Sequence, residues 1–446
     1  MARSNQINMT EGPIFLKLLQ FSIPLIFSSL LQLLFNAADI VVVGRFAGDN
    51  SLAAVGSTGS LINLLINLFT GLSIGTNVLA ANYFGAGKKR ELKDTVHTSI
   101  LLSILSGILL TGVGIVGSKY ILILMQAPHE VLKLATLYLR IYFGGITSTM
   151  VYNFGSALLR AKGDTQRPLY ILFLAGILNV ILNLIFVICF KMGVAGVAWA
   201  TVISQTLSAI LVIILLVKEK DDFHLEFKKL KINMPIFTNI VKIGLPAGFQ
   251  GIMFSFSNVI IQSSINSFGA IMIAGNSAAV NLEGFVYTSM NGFSQGSLTF
   301  CSQNLGARKI DRIKKLVWIS QFSIIVIGAL LSGIFLLLGP QLLGFYTKKA
   351  DHLLWENPVP WVPESLDFEL MVGVAGSSCR GRVLAKRQGS LSRNHPGCSD
   401  QVRLCFLLRE VDGKLCVHQT VRPSLSLQLP FWSSELLCPL RVLREL

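Results

Sequence analysis

Residues 14–43 read IFLKLLQFSIPLIFSSLLQLLFNAADIVVV. The run is longer than the roughly 20 apolar residues that a helix needs to cross a hydrocarbon core. It is too long for a cleaved signal peptide, no small-residue cleavage site follows a short apolar core, and Pro24 sits in its middle. Eight more apolar runs follow, at about 52–82, 95–117, 134–158, 168–190, 193–217, 235–265, 270–302 and 316–339. Nine candidate spans in one chain predict an all-α polytopic membrane protein.

Composition agrees. Of the 446 residues 52% are hydrophobic and 14% charged, against about 25% charged in a soluble domain, which excludes an ordinary cytosolic enzyme. The formal charge of +15 is concentrated in alternate loops. Lys88, Lys89, Arg90 and Lys93 follow the second span, and Arg160, Lys162 and Arg167 the fourth. Lys218, Lys220, Lys228, Lys229 and Lys231 follow the sixth, and Arg308, Lys309, Arg312, Lys314 and Lys315 the eighth. By the positive-inside rule the N-terminus and these loops face the cytoplasm of a cell with the chain in its cytoplasmic membrane. The charge is then an orientation signal, and no nucleic-acid partner is expected.

Composition changes abruptly after residue 349. Residues 350–446 lack Ile, hold 9 Arg to 2 Lys, and carry five of the seven Cys and seven of the fourteen Pro. No run there is long enough to span a membrane. This reads as a foreign or frameshifted, poorly ordered tail; the alternative is a small, partly disordered domain. Its cysteines (Cys379, Cys398, Cys405, Cys416, Cys438) lack metal-ligand spacing, and Cys189 and Cys301 stand singly in apolar runs.

The body repeats itself. Gly71-Leu72-Ser73-Ile74-Gly75 returns as Gly292-Phe293-Ser294-Gln295-Gly296, and Gly85-Ala86-Gly87-Lys88 as Gly306-Ala307-Arg308-Lys309, both shifted by 221. Pro24 answers Pro246, and Phe46 answers Phe268, at 222. Six spans separate the copies, so they share an orientation, and parallel repeats of this kind are one plan of secondary transporters. The expected domains are a six-helix lobe over 1–217, a cytoplasmic linker over 218–234, a partial three-helix lobe over 235–349 and the tail over 350–446.

Polar residues inside spans are costly and mark cavities or helix partners. Gln32, Asn36 and Asp39 lie at i, i+4, i+7 on one face of the first span. Asn63, Asn67 and Thr70 repeat that spacing in the second, Asn179 and Asn183 lie one turn apart in the fifth, and Thr201 lies in the sixth. Oxygen donors suit a hard cation such as Na⁺, and a carboxylate partly removed from water suits proton exchange. The alternative is that the amides only join helices. In the eighth span Asn276, Glu283 and Tyr287 share a face where a carboxylate and a ring could meet an organic cation, or where the acid pairs with a neighbouring helix. Pro24 and Pro246 are hinge candidates, and Arg140 is a snorkelling anchor. There is no G-x-x-x-x-G-K-[ST] and no H-E-x-x-H, so neither an ATP-driven pump nor a membrane metalloprotease is expected.

The segment Asn36-Ala37-Ala38-Asp39-Ile40-Val41-Val42-Val43-Gly44-Arg45, the Gly85-Ala86-Gly87 loop, Tyr138-Leu139-Arg140-Ile141, and Asn179 with Asn183 resemble the multidrug and toxic compound extrusion (MATE) family over about residues 10–349. The resemblance implies twelve helices in two six-helix lobes around a central cleft, about nine of them present here, the second lobe being truncated. It implies a monomeric antiporter in contact with membrane lipids, not an enzyme. Such a protein exports organic, mostly cationic, xenobiotics in exchange for Na⁺ or H⁺, with no cofactor and no metal beyond Na⁺. By the family's motifs Asp39, Asn179, Asn183 and Thr201 form the cation site, and Pro24 is the bending proline of the first helix. Gln32, Asn36, Asn63, Asn67, Glu283 and Tyr287 are the substrate-pocket candidates. Two rival expectations are a lipid or lipid-linked sugar flippase and an inactive remnant of an exporter.

Overall fold

The computed structural model describes residues 6–124, 129–266 and 270–346. Among them the backbone forms ten α-helices and no strand: α1 (Ile14–Phe46), α2 (Asp49–Gly85), α3 (Lys89–Leu124), α4 (His129–Gly144), α5 (Ile146–Lys162), α6 (Gln166–Leu184), α7 (Val194–Lys218), α8 (Met234–Asn266), α9 (Ala270–Gly306) and α10 (Ile310–Tyr346). The expectations for residues 350–446 lie outside the described residues, as do the side chains of Asn276 and Glu283.

One span differs from the sequence reading. Residues 134–158 were expected as a single helix, but the chain breaks between α4 and α5 at Gly144–Gly145. Two consecutive glycines weaken a helix. The break is also supported from outside, because Thr111 Oγ1 of α3 donates to the Phe143 carbonyl at 2.9 Å, a group that a helix end would otherwise leave unpaired.

Five of the described helical stretches are long and apolar enough to cross a membrane: Ile14–Phe46, Lys89–Ile123, Gln166–Cys189, Val194–Lys218 and Ile310–Leu331. They carry most of the exposed large apolar side chains, among them Phe27 and Leu34 of α1, Ile108 and Val116 of α3, Phe173 and Ile181 of α6, and Phe322 of α10. A surface this apolar faces lipid, so the chain is a multi-pass membrane protein. Taken together, the other expected spans, in α2, α4–α5, α8 and α9, are richer in Gly, Ser, Thr and Asn than these five, though α3 matches them; these are the residues with which helices pack closely on helices in a membrane.

The internal repeat is visible in the packing. A Cβ on Gly71 of α2 would lie 2.3 Å from the Gly248 nitrogen of α8, and one on Gly75 2.5 Å from the Ile240 carbonyl oxygen. The second copy makes the matching contact on α1: a Cβ on Gly292 of α9 would lie 2.9 Å from Ile26 Cγ1, and one on Gly296 2.3 Å from Ser22 Oγ. Ser22 and Ile26 are the counterparts, shifted by 222, of Gly244 and Gly248. The second helix of each half therefore packs on the first helix of the other. Between these seams α2 meets α9, where a Cβ on Gly85 would strike the Gln303 carbonyl and one on Gly306 the Asn82 carbonyl, each at 2.0 Å. These two contacts map onto each other at 221.

Candidate functional site

Asp39 lies about two turns before the end of α1, on the face turned to α6. The two helices come close because Gly176 of α6 leaves room for the Phe35 ring of α1; a Cβ there would overlap it at 1.8 Å. From Gly176 the positions on the same side of α6, three and seven residues on, are Asn179 and Asn183. Both are buried, 5% and 0% exposed, and Asp39 is 7% exposed.

The polar groups form a chain. Asn183 Nδ2 donates to the Asp39 carboxylate and to Asn179 Oδ1 at 3.2 Å. Asn179 Nδ2 is directed at Thr201 Oγ1 of α7, 3.4 Å away, and Thr201 in turn donates to the Val197 carbonyl at 3.0 Å. The Asn183 Oδ1 atom is buried without a partner. An unpaired buried acceptor costs free energy, and here it stands beside a carboxylate and other oxygen donors. Carboxylate, amide and hydroxyl oxygens are the donor set of a hard monovalent or divalent cation, and the carboxylate alone can hold a proton. Both ligands fit the residues present.

Two features of this site are not among the site residues read from the sequence, although Tyr138 belongs to the Tyr138-Leu139-Arg140-Ile141 motif. Tyr138 of α4 is buried and Tyr142 half-buried, their rings stacked with centroids 6.1 Å apart, and both lie within electrostatic range of Asp39. Their i, i+4 spacing in an apolar run looks like ordinary core. Directly after Asn183, residues Ile185–Cys189 form a π-helical turn that packs against α1. Such wide turns recur at functional sites, and no residue type announces one.

The remaining candidates are spread over three helices. Gln32 and Asn36 of α1 and Asn63 of α2 are exposed. Asn67 is half-buried against α8, with Cβ 3.5 Å from where a Cβ on Gly251 would sit. Tyr287 is half-buried on α9. Pro24 is buried and Pro246 exposed, each inside a continuous helix; Ser28 Oγ donates to the Pro24 carbonyl at 2.8 Å. The carboxylate-centred network thus joins Asp39, Asn179, Asn183 and Thr201, as expected together, while the pocket candidates do not enter it.

A second charged cluster, missed in the sequence because its members are far apart, ties α5 and α6 to the start of the linker. Glu219 accepts from buried Lys162 and from Arg167. Asp164 accepts from the Arg167 side chain and from the Gln166 and Arg167 backbone N–H groups, each at 3.1 Å. Asp221 also meets Lys162 at 2.7 Å. Burial works against the charge on Glu219, but Lys162 and Arg167 hold its carboxyl below the ordinary glutamate value.

Comparison with known proteins bears on fold and family. The family model MatE matches residues 24–185 and 246–355. The chain is 27% identical over 342 residues to the probable multidrug resistance protein YoeA of Bacillus subtilis, covering 75% of this chain and 73% of that one. It is 24% identical over 390 residues to the multidrug export protein MepA of Staphylococcus aureus, covering 85% and 86%. Among solved structures it is similar to an outward-facing multidrug resistance MATE family transporter of the MOP superfamily, with TM-score 0.78 at 22% identity over 85% of each chain. It is similar as well to a MATE protein in the bent conformation, with TM-score 0.76 at 23% identity over 83% of each.

Proposed function

The chain belongs to the MatE family, and from that premise we propose that it is a cation-coupled antiporter of the cytoplasmic membrane. In this reading it exports organic, mostly cationic, compounds in exchange for Na⁺ or H⁺ held at Asp39, Asn179, Asn183 and Thr201. The observation that carries the reading is the buried carboxylate of Asp39 beside the unpartnered Asn183 Oδ1. A charge in that position is tolerated only with a partner, and a cation or proton supplies one.

Loading from outside neutralises Asp39 and removes the reason for α1 to hold its carboxylate near the amides. A bend at Pro24, where the helix lacks one backbone hydrogen bond, then shrinks the space lined by Gln32, Asn36, Asn63, Asn67, Glu283 and Tyr287. The compound leaves outward and the cation inward. The N-terminus and the basic loops face the cytoplasm, and one chain is the working unit.

The test is the full chain in liposomes with an imposed Na⁺ or pH gradient and an ethidium-like cation as cargo. Coupled export is expected from one gradient or both and is lost in Asp39→Asn, with membrane insertion unchanged. Full antiport in that variant removes Asp39 from the mechanism. Translocation of a fluorescent phospholipid without cation export supports the flippase instead.

A further inference from the structure

The boundary between the halves is crossed by two short straps on the face that carries the N-terminal segment. One, residues 7–11, leads into α1. Ile7 N–H donates to the Gly163 carbonyl at 3.2 Å, in the turn between α5 and α6. Gly163 has φ +102°, and a Cβ on it would lie 2.6 Å from the Ile7 carbonyl oxygen, so the strap lies directly on that turn. Two residues later its partners belong to the other half. Asn304 Nδ2 and Arg312 Nε donate to the Met9 carbonyl at 3.2 and 3.3 Å. Lys309 Nζ donates to that of Thr10 at 2.9 Å, and an Arg312 terminal nitrogen to that of Glu11 at 2.9 Å. Met9 is fully buried.

The other strap, residues 231–233, leads into α8 and is held by α3 of the first half. Thr98 Oγ1 donates to the Lys231 carbonyl at 3.4 Å and accepts from Asn233 N–H at 3.1 Å. Asn233 Nδ2 donates to Asp94 at 3.0 Å. Each half thus ties the lead-in of its first helix to the third helix of the opposite half or to the turn before it, as the repeat requires. The ties differ in kind. Strap 231–233 is part of the covalent link from α7 to α8, so the halves stay joined there however they move. Strap 7–11 reaches α9 and α10 through hydrogen bonds to its carbonyls and the burial of one side chain.

We propose that residues 7–11 are a releasable latch, holding the halves together on this face through Arg312, Lys309 and buried Met9, while residues 231–233 act as the fixed pivot. Release of the latch precedes separation of α2 from α9. The inference rests on the reading of the protein as one whose two halves separate, and its test reads that separation directly without requiring transport.

Spin labels are placed at the exposed positions Lys88→Cys and Lys315→Cys, in the full chain with its native cysteines replaced by serine, and their separation is measured by pulsed electron resonance. Lys309→Gln/Arg312→Gln should raise the long-distance fraction by about tenfold, the effect of losing one or two charge-assisted hydrogen bonds. Met9→Asp, which expels the strap by placing a charge in its apolar seat, should do the same. Thr98→Val should leave the distribution as in the parent protein, because the chain itself still holds the pivot. An unchanged distribution in both latch variants overturns the proposal, as does an equal lengthening in Thr98→Val. Lengthening in a protein that shows no antiport leaves the latch standing and counts against the transport reading alone.

Discussion

The two copies of the internal repeat share their packing and differ in their chemistry. Gly71 and Gly75 in the first and Gly292 and Gly296 in the second bring helix backbones together in matching seams, and Pro24 and Pro246 occupy matching places. The counterpart of Asp39, however, is Ile261. Close approach is needed on both sides of an interface that two halves share, so both copies keep it. A buried charge is costly wherever it sits, and the proposed coupling of one ion to a conformational change needs only one such site.

The largest test of this contrast removes the chemistry from the one copy that has it. Asp39→Asn should reduce gradient-driven export to the level of empty liposomes while leaving the detergent-solubilised protein monodisperse. Adding Ile261→Asp to that variant should not restore export, because the two amides that stand beside Asp39, Asn183 and Asn179, belong to the first copy. Recovery of export by the double variant would show that the halves are interchangeable in chemistry as well as in packing.

A smaller effect separates the seams. In Gly71→Ala the new methyl meets backbone, Gly248 N and the Gly244 carbonyl, at 2.3 and 2.5 Å, which can yield only if α2 and α8 part. In Gly292→Ala the contacts are longer: Ile26 Cγ1 at 2.9 Å, which can turn away, and the Ile26 backbone N and Cα at 3.1 and 3.2 Å, which need give by only a few tenths of an ångström. The first substitution should cost about 3 kcal/mol and the second about 1, the two ends of the usual range for overpacking. Thermal unfolding followed by tryptophan fluorescence checks the order, and equal costs would mean that the seams are equally compliant.

What was legible in the sequence follows the same division. The apolar runs and the glycine repeat were readable because each is a local pattern whose physics is local: a length of hydrocarbon, or a missing side chain at a fixed spacing. Asp39, Asn179, Asn183 and Thr201 could be picked out one by one, since each is an expensive residue in an apolar run. The break at Gly144–Gly145 was passed over because the flanking residues are apolar enough to fill one window, and the Thr111 hydroxyl that supports the break is on another helix. Tyr138 stands in a motif that carries the family resemblance, but neither it nor Tyr142 is marked as a site residue by the sequence, because aromatic residues in a span are common and only the fold brings these near a carboxylate. Gln32, Asn36 and Asn63 show the limit of face-sharing arguments, since spacing on one helix says nothing of what stands opposite.

The last comparison sets the cluster around Glu219 beside the one around Asp39. Both are acids held by donors from other helices, Asp39 buried and Glu219 half-buried, but Glu219 meets two cations, Lys162 and Arg167, where Asp39 meets an amide. The first arrangement is self-neutralising and should act on stability; in the second the Asn183 Oδ1 beside the carboxylate has no partner, as the proposed cation site requires. Glu219→Gln should cost about 2 kcal/mol, less than the 3–5 typical of a broken buried pair, because Asp221 remains beside Lys162. The sign of the pH dependence follows from Glu219 being held below its ordinary value of 4.5. Its contribution is fully present above that value and is lost as pH falls through the lower folded-state value. The difference in unfolding temperature between parent and variant should therefore be constant near neutrality and shrink below about pH 4.5. A difference that grows in acid would mean that the carboxyl is raised by its burial after all, and that Lys162 depends chiefly on Asp221.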